Sequence, residues 1–138
     1  MTINGNDTKD LELAHTFARA YRELDEGAMK TTLASTARVR LLMPRGFFEH
    51  AGPDELLGVL RDFATKWTFD SVDSVEVELL TQNMMQTGRL ACIDQRLRLR
   101  SANGERSATM VLKHLVAIKD GQIALVDELC TGVMPLPG

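Results

Sequence analysis

Apolar positions along this chain change character close to Trp67. Before it, stripes recurring every three or four residues, as on a helix face, are interrupted by one short alternating stretch; after it the alternating runs are long, as on strands. Leu11, Ala14, Phe17, Ala18, Tyr21 and Leu24 form one 3.6-residue stripe, which predicts a helix from Asp7 or Thr8 that Asp25-Glu26-Gly27 stops. Ala28 to Leu33 predicts a short second helix. Ala37 to Met43 reads as a strand ended by Pro44-Arg45-Gly46, and Phe47 to His50 as a brief second strand. Gly52-Pro53-Asp54-Glu55 starts a third helix, because proline suits the first helical position and acids favour the positive end of the helix dipole. That helix carries Leu56, Leu57, Val59, Leu60, Phe63 and Ala64 and is expected to run to about Lys66.

Four long strands are predicted after Trp67: Ser74–Gln82, Gly88–Arg100, Arg106–Lys119 and Gln122–Leu129. The second and third are joined through Ser101-Ala102-Asn103-Gly104, which contains an Asn-Gly turn. Helices in the first half and an antiparallel meander in the second mean an α+β fold. The expected organisation is a flexible tail over residues 1–6 and one domain over 7–138.

Composition narrows the function classes. The chain has 138 residues, enough for one sizeable core, and a net charge of −3, where a nucleic-acid surface would call for a strongly basic face. No apolar run approaches the ~18 residues that span a bilayer, and the N-terminus lacks a signal-peptide pattern. Cys92 and Cys130 fall inside predicted strands, where free cysteines act as small hydrophobes. A cytoplasmic protein with no nucleic-acid or membrane partner is expected.

Candidate chemistry concentrates in the last hairpin. The apolar runs Met110–Ile118 and Gln122–Cys130 are joined by Lys119-Asp120-Gly121, and Asp-Gly suits a turn whose central residues both need positive φ. Within it sit Lys113, His114, Asp127 and Glu128, which a core strand does not need. His114 lies seven residues before Gly121 and Glu128 seven after, so the two are expected to come close to facing each other. Side chains alternate, so one of Lys113 and His114, and one of Asp127 and Glu128, points inward. Abstracting a proton beside a carbonyl needs a base with a pKa nearer 7 than 4, and burial in an apolar pocket raises a carboxylic acid toward it. Asp94, Arg96, Arg98 and Arg100 share one strand face: either a solvated or dimer-facing surface, or one that puts Arg96 and Asp94 in the pocket to grip a carboxylate or ester. Phe17, Tyr21, Leu41 and Trp67, with Met84 and Met85, are candidates to line an apolar pocket, and His50 to border its mouth. No His/Cys/Asp cluster has metal-ligand spacing and no glycine-rich phosphate loop follows a strand.

The order of elements resembles the nuclear transport factor 2 superfamily. A-R-A-Y-R-E-L-D-E-G-A-M resembles that family's first helix and turn, F-E-H-A-G-P-D-E-L-L its strand-to-third-helix junction, and I-K-D-G-Q-I its closing hairpin. The resemblance implies a cone-shaped half-barrel, three helices packed on a curved, mainly antiparallel sheet around a deep pocket. In the ketosteroid isomerase branch the functional tyrosine and two carboxylates would fall on Phe17, Leu41 and Lys113, which cannot fill those roles. In limonene-epoxide-hydrolase-like enzymes the Arg-x-Asp strand would fall on Arg96 and Arg98. SnoaL-like polyketide cyclases fit better: their hairpin pattern His-x5-Asp-Gly-Lys-Ile-x4-Asp is matched by His114, Asp120, Gly121, Gln122, Ile123 and, with glutamate for aspartate, Glu128.

What the resemblance implies is an acid–base enzyme of cyclase or isomerase type, without cofactor or metal, acting on a hydrophobic, polycyclic carbonyl compound. Glu128 would shuttle the proton with His114 as its partner, while Arg96, Asp94, Lys113 and Asp127 are secondary candidates. A homodimer through the convex sheet face is expected. Two other readings stay open: a non-catalytic small-molecule-binding or accessory subunit, and an epoxide-hydrolase-like enzyme with Asp94 beside Arg96.

Overall fold

The turn between the first two helices is set by specific backbone and side-chain devices. The structure, a computed structural model, describes residues 5–44, 46–80 and 88–137, with the side chains of Asn6, His50 and Ala51 outside that description. Helix α1 (Gly5–Glu23) begins earlier than Asp7, and residues 1–4 of the expected tail lie outside the described residues. Its stripe faces inward, burying Ala14, Phe17, Ala18 and Tyr21. It ends at Leu24, whose φ of 54° is left-handed. The Leu24 N–H donates to the Tyr21 carbonyl at 3.4 Å and the Asp25 N–H to the Ala20 carbonyl at 2.9 Å, satisfying carbonyls the helix would otherwise leave bare. A leucine in this conformation costs about 1–2 kcal/mol, offset by its packing against the core. The Asp25 carboxylate then accepts from the Ala28 N–H at 3.2 Å and caps α2 (Glu26–Thr32), which is why that helix starts ahead of Ala28.

Strand β1 (Leu33–Met43) also starts early, its register slipping between Leu33 and Arg38. It forms an antiparallel hairpin with β2 (Gly46–Ala51). Helix α3 (Pro53–Ala64) starts at the expected proline and buries Leu56, Leu57 and Leu60. Strand β3 (Trp67–Leu79) begins at Trp67 rather than Ser74. It is a sheet edge with register shifts between Phe69 and Ser71 and between Val72 and Ser74, so its side chains do not alternate cleanly and the sequence pattern fades there.

The rest of the sheet is β4 (Arg89–Ser101), β5 (Ser107–Lys119), β6 (Gln122–Cys130) and a two-residue β7 (Met134–Pro135) that the sequence did not suggest. Strand order is β2-β1-β6-β5-β4-β3, with β7 on β5; all neighbours run antiparallel except β1 and β6. The architecture is α+β: three helices and an open, curved, mostly antiparallel sheet of seven strands. One face of the sheet turns toward the helices and holds the core; Ile93, Leu97 and Leu99 of β4 and Met110, Leu112 and Val116 of β5 are buried there. Among the described residues no helix is long and apolar enough to cross a membrane.

Candidate active site

The β5–β6 hairpin sets the site through one irregularity. Asp120 and Gly121 form its turn with φ of 53° and 75°, the positive pair that a two-residue loop of this type requires. Such a loop alone would pair His114 with Asp127. However, Ile118 pairs with Ile123 while Ala117 pairs with Leu125, so Ala124 is an extra residue, and beyond this bulge His114 faces Glu128. The inward positions of β6 shift accordingly: Ile123, then Val126, Glu128 and Cys130 are buried. Glu128 and His114 turn to the helix side, and their side chains are 1% and 0% exposed.

Helix α1 closes over this pair. Phe17 and Tyr21 are one helical turn apart and share a face. The Phe17 ring meets the His114 imidazole edge-on at 5.4 Å and 84°, and the Tyr21 ring lies 4.7 Å from it at 63°. The Tyr21 hydroxyl donates to Glu128 Oε1. His114 Nε2 lies 2.7 Å from the same oxygen. With two donors converging on one carboxylate oxygen, the hydrogen is assigned to Nε2, and Nδ1 is buried with no partner among the described residues. Burial, reinforced by the Glu128 charge and by the hydrogen bond to it, holds the Tyr21 hydroxyl well above its ordinary pKa, so it remains a donor through the neutral range. Glu128 Oε2 makes no hydrogen bond among the described residues, and Glu128 is one of the residues at the wall of a cavity.

That cavity, about 900 Å³, lies between the sheet and helices α1 and α3. Tyr21 and Glu128 reach its wall, which is otherwise built largely from apolar side chains, among them Phe63, Trp67, Leu97, Leu99, Met110 and Leu112. Burial lifts the Cys130 thiol above its ordinary pKa beside this carboxylate. Among the described residues, no group of three His, Cys, Asp or Glu side chains is placed to hold a metal ion.

Several residues named from the sequence lie elsewhere. Asp127 and Lys113 point to the outer face, where Asp127 accepts two hydrogen bonds from Arg40 at 2.6 Å and Lys113 lies 3.9 Å from Asp94. Arg96 is exposed on that same face, because the inward parity of β4 belongs to Ile93, Gln95, Leu97 and Leu99; the placement of Arg96 and Asp94 in the pocket is therefore corrected. Arg98 and Arg100 pair with Asp73 and Asp70 of the irregular edge strand. Tyr21 and Trp67 line the cavity, whereas Phe17 packs on His114 and Leu41 sits beside Glu128 on the next strand, both in the core and not in the cavity wall. Met84, Met85 and the side chain of His50 lie outside the described residues.

Three contributions were not read from the sequence. Tyr21, expected only to line a pocket, is the second donor to Glu128; an aromatic hydroxyl one turn after Phe17 was the available signal. Gln95, an uncharged polar residue between Asp94 and Arg96, is fully buried and donates to the Ala18 carbonyl at 3.3 Å. Arg22 donates to Gln95 Oε1 at 3.2 Å and reaches the cavity wall.

No protein-family model matches the sequence, and no curated protein matches it. Solved structures do match the fold. A protein from Xanthomonas campestris pv. campestris, provisionally named a polyketide cyclase, superposes with a TM-score of 0.70 at 18% identity over 91% of this chain and 92% of its own. A Bacillus subtilis protein provisionally named an isomerase gives 0.69 at 10% identity over 90% and 87%. A limonene-epoxide-hydrolase-like epoxide hydrolase from M. tuberculosis gives 0.60 at 15% identity over 89% and 83%. The chain has the fold of the NTF2-like proteins, a fold on which these three names already differ in reaction.

Proposed function

We propose that this chain is a cofactor-independent acid–base enzyme of cyclase or isomerase type, acting on a hydrophobic carbonyl compound. The observation that supports this most is the asymmetric hold on Glu128 at the cavity wall: Tyr21 and His114 both donate to Oε1, and Oε2 has no donor among the described residues. A carboxylate locked by two donors on one side presents its other oxygen in a fixed direction, which is what a general base needs. In the reaction, Oε2 takes a proton from the carbon beside the substrate carbonyl, giving an enolate and a neutral carboxylic acid. The same acid then returns the proton, to another carbon in an isomerisation or to the alkoxide formed when the enolate closes a ring. The proton count balances and the carboxylate is regenerated.

The apolar wall supports a substrate with a large hydrophobic body, and a cavity of about 900 Å³ is in the range that takes ligands of three or four fused rings. Epoxide opening by Arg96 and Asp94 needs both at the pocket; both belong to the outer face.

Solvent exchange tests the reading without a known natural substrate. Polycyclic β-keto esters incubated with protein in heavy water should exchange their α-hydrogen faster than in buffer. Glu128→Gln should lose about 100- to 10,000-fold of that acceleration, the span that general-base catalysis contributes, while its thermal unfolding stays cooperative. Equal exchange in both proteins would remove Glu128 as the base. Binding of such esters with no exchange in either would leave a binding protein in place of an enzyme.

A further inference from the structure

Among the described residues, the half-buried arginines are satisfied by carboxylates with one exception. Arg40 holds Asp127 at 2.6 Å and Arg89 holds Asp7 at 2.5 Å. Arg22, equally half-buried, donates only to the neutral amide of Gln95, and among the described residues no carboxylate lies within ion-pair reach of it. Glu23, the next residue and also at the cavity wall, lies 3.4 Å from Arg19 instead.

Its position is built rather than incidental. Gln95 is fully buried and tied to the Ala18 carbonyl through Nε2, which orients Oε1 toward Arg22 and fixes the guanidinium from behind. In the β4–β5 register Gln95 faces Leu112 and Ile93 faces His114, so Gln95 is the diagonal neighbour of His114, about 7–8 Å away. Arg22 therefore brings a cation to the same cavity as the Glu128 carboxylate, held off it by Gln95 and with donors to spare. A partly desolvated guanidinium holding only a neutral partner favours a planar anion.

We propose that Arg22 binds a carboxylate on the substrate, so that the cavity takes apolar carboxylic acids in preference to neutral compounds of the same shape. This rests on the cavity being the substrate site of Glu128, and adds to it the end of the substrate away from the reacting carbon. Gln95 is the positioning residue for Arg22.

Anthraquinone-2-carboxylate and its methyl ester make a matched pair, and Trp67, the single tryptophan, lies in the cavity wall where its fluorescence reports either ligand. Wild type should bind the acid about tenfold more tightly than the ester, as a charge-assisted hydrogen bond warrants. Arg22→Met should bind the two alike while its affinity for the ester stays that of wild type. Gln95→Glu, which hands Arg22 a carboxylate from within the chain, should lose the acid preference as well. Equal binding of acid and ester by wild type, or an acid preference that survives in Arg22→Met, overturns the assignment and leaves Glu128 untouched. Glu128→Gln should keep the acid preference while losing proton exchange, so failure of the base is read separately. If neither compound changes Trp67 emission, the cavity is not a ligand site and both readings fall.

Discussion

Replacing Tyr21 with phenylalanine keeps the ring against His114 and removes only the hydroxyl that donates to Glu128. No packing void is made, so the effect at neutral pH is the loss of one buried hydrogen bond to a carboxylate, about 1–3 kcal/mol. The alkaline range isolates the same contact. Burial and the Glu128 charge raise the folded-state pKa of Tyr21 well above the ordinary tyrosine value. A group whose pKa is raised by folding stabilises the fold fully below its unfolded pKa and loses that stabilisation as pH rises toward the folded one. For tyrosine the window therefore opens at about pH 10, and stability falls by about 1.4 kcal/mol for each further pH unit until Tyr21 ionises in the folded protein. Urea unfolding followed by Trp67 fluorescence, run at several pH values for wild type and Tyr21→Phe, separates this slope from that of the lysines, which both proteins share. Because the chain has one tyrosine, near-ultraviolet absorbance of tyrosinate should appear only as the wild type unfolds. Parallel stability curves for the two proteins, or tyrosinate absorbance in folded protein near pH 10, would refute the buried hydrogen bond to Glu128.

Two further substitutions check the geometry. Asp127→Asn removes an outer-face pair with Arg40 whose side chains are 30% and 41% exposed, so stability should change by no more than about 1 kcal/mol in a denaturation curve. Proton exchange should persist in it; its loss would mean that strand parity is reversed. Gly88→Ala places a methyl 2.3 Å from the Ile118 carbonyl oxygen at a φ of +113°, and should cost more than about 2 kcal/mol in the same measurement. A neutral result there would mean that the end of β4 is not seated on β5 as described.

The helices and the closing hairpin were legible because their signals are local: a 3.6-residue stripe, a proline after a glycine, an Asp-Gly turn. The pairing of His114 with Glu128 was legible only in part. Counting outward from Gly121 names the right partners, yet a plain two-residue loop centres between Asp120 and Gly121 and would have chosen Asp127. The bulge at Ala124 makes up the difference, and nothing in Ile123-Ala124-Leu125 marks it, since all three residues are apolar. Which face of β4 turned inward was undecidable from alternation alone, because Leu97 and Leu99 suit a cavity wall while Arg96 and Arg98 suit either a pocket or solvent. Tyr21 escaped notice as a donor for another reason. Its partner is 107 residues away, and no periodicity in one helix reports a contact at that separation.

That separation also governs how the protein is made. Strand β6 lies between β1 and β5, running parallel to the first and antiparallel to the second. A chain emerging from the ribosome that has reached only Lys119 has therefore laid down both neighbours of a strand it does not yet have. Each neighbour then exposes a row of unpaired amides and carbonyls, the kind of edge that invites pairing with other chains. Sheet closure waits for β6, the strand that follows both of its neighbours in the chain, and a topology with such distant pairings closes slowly. Glu128 arrives on the strand that seals the sheet, so its burial beside Tyr21 and His114 and the completion of the fold are one event.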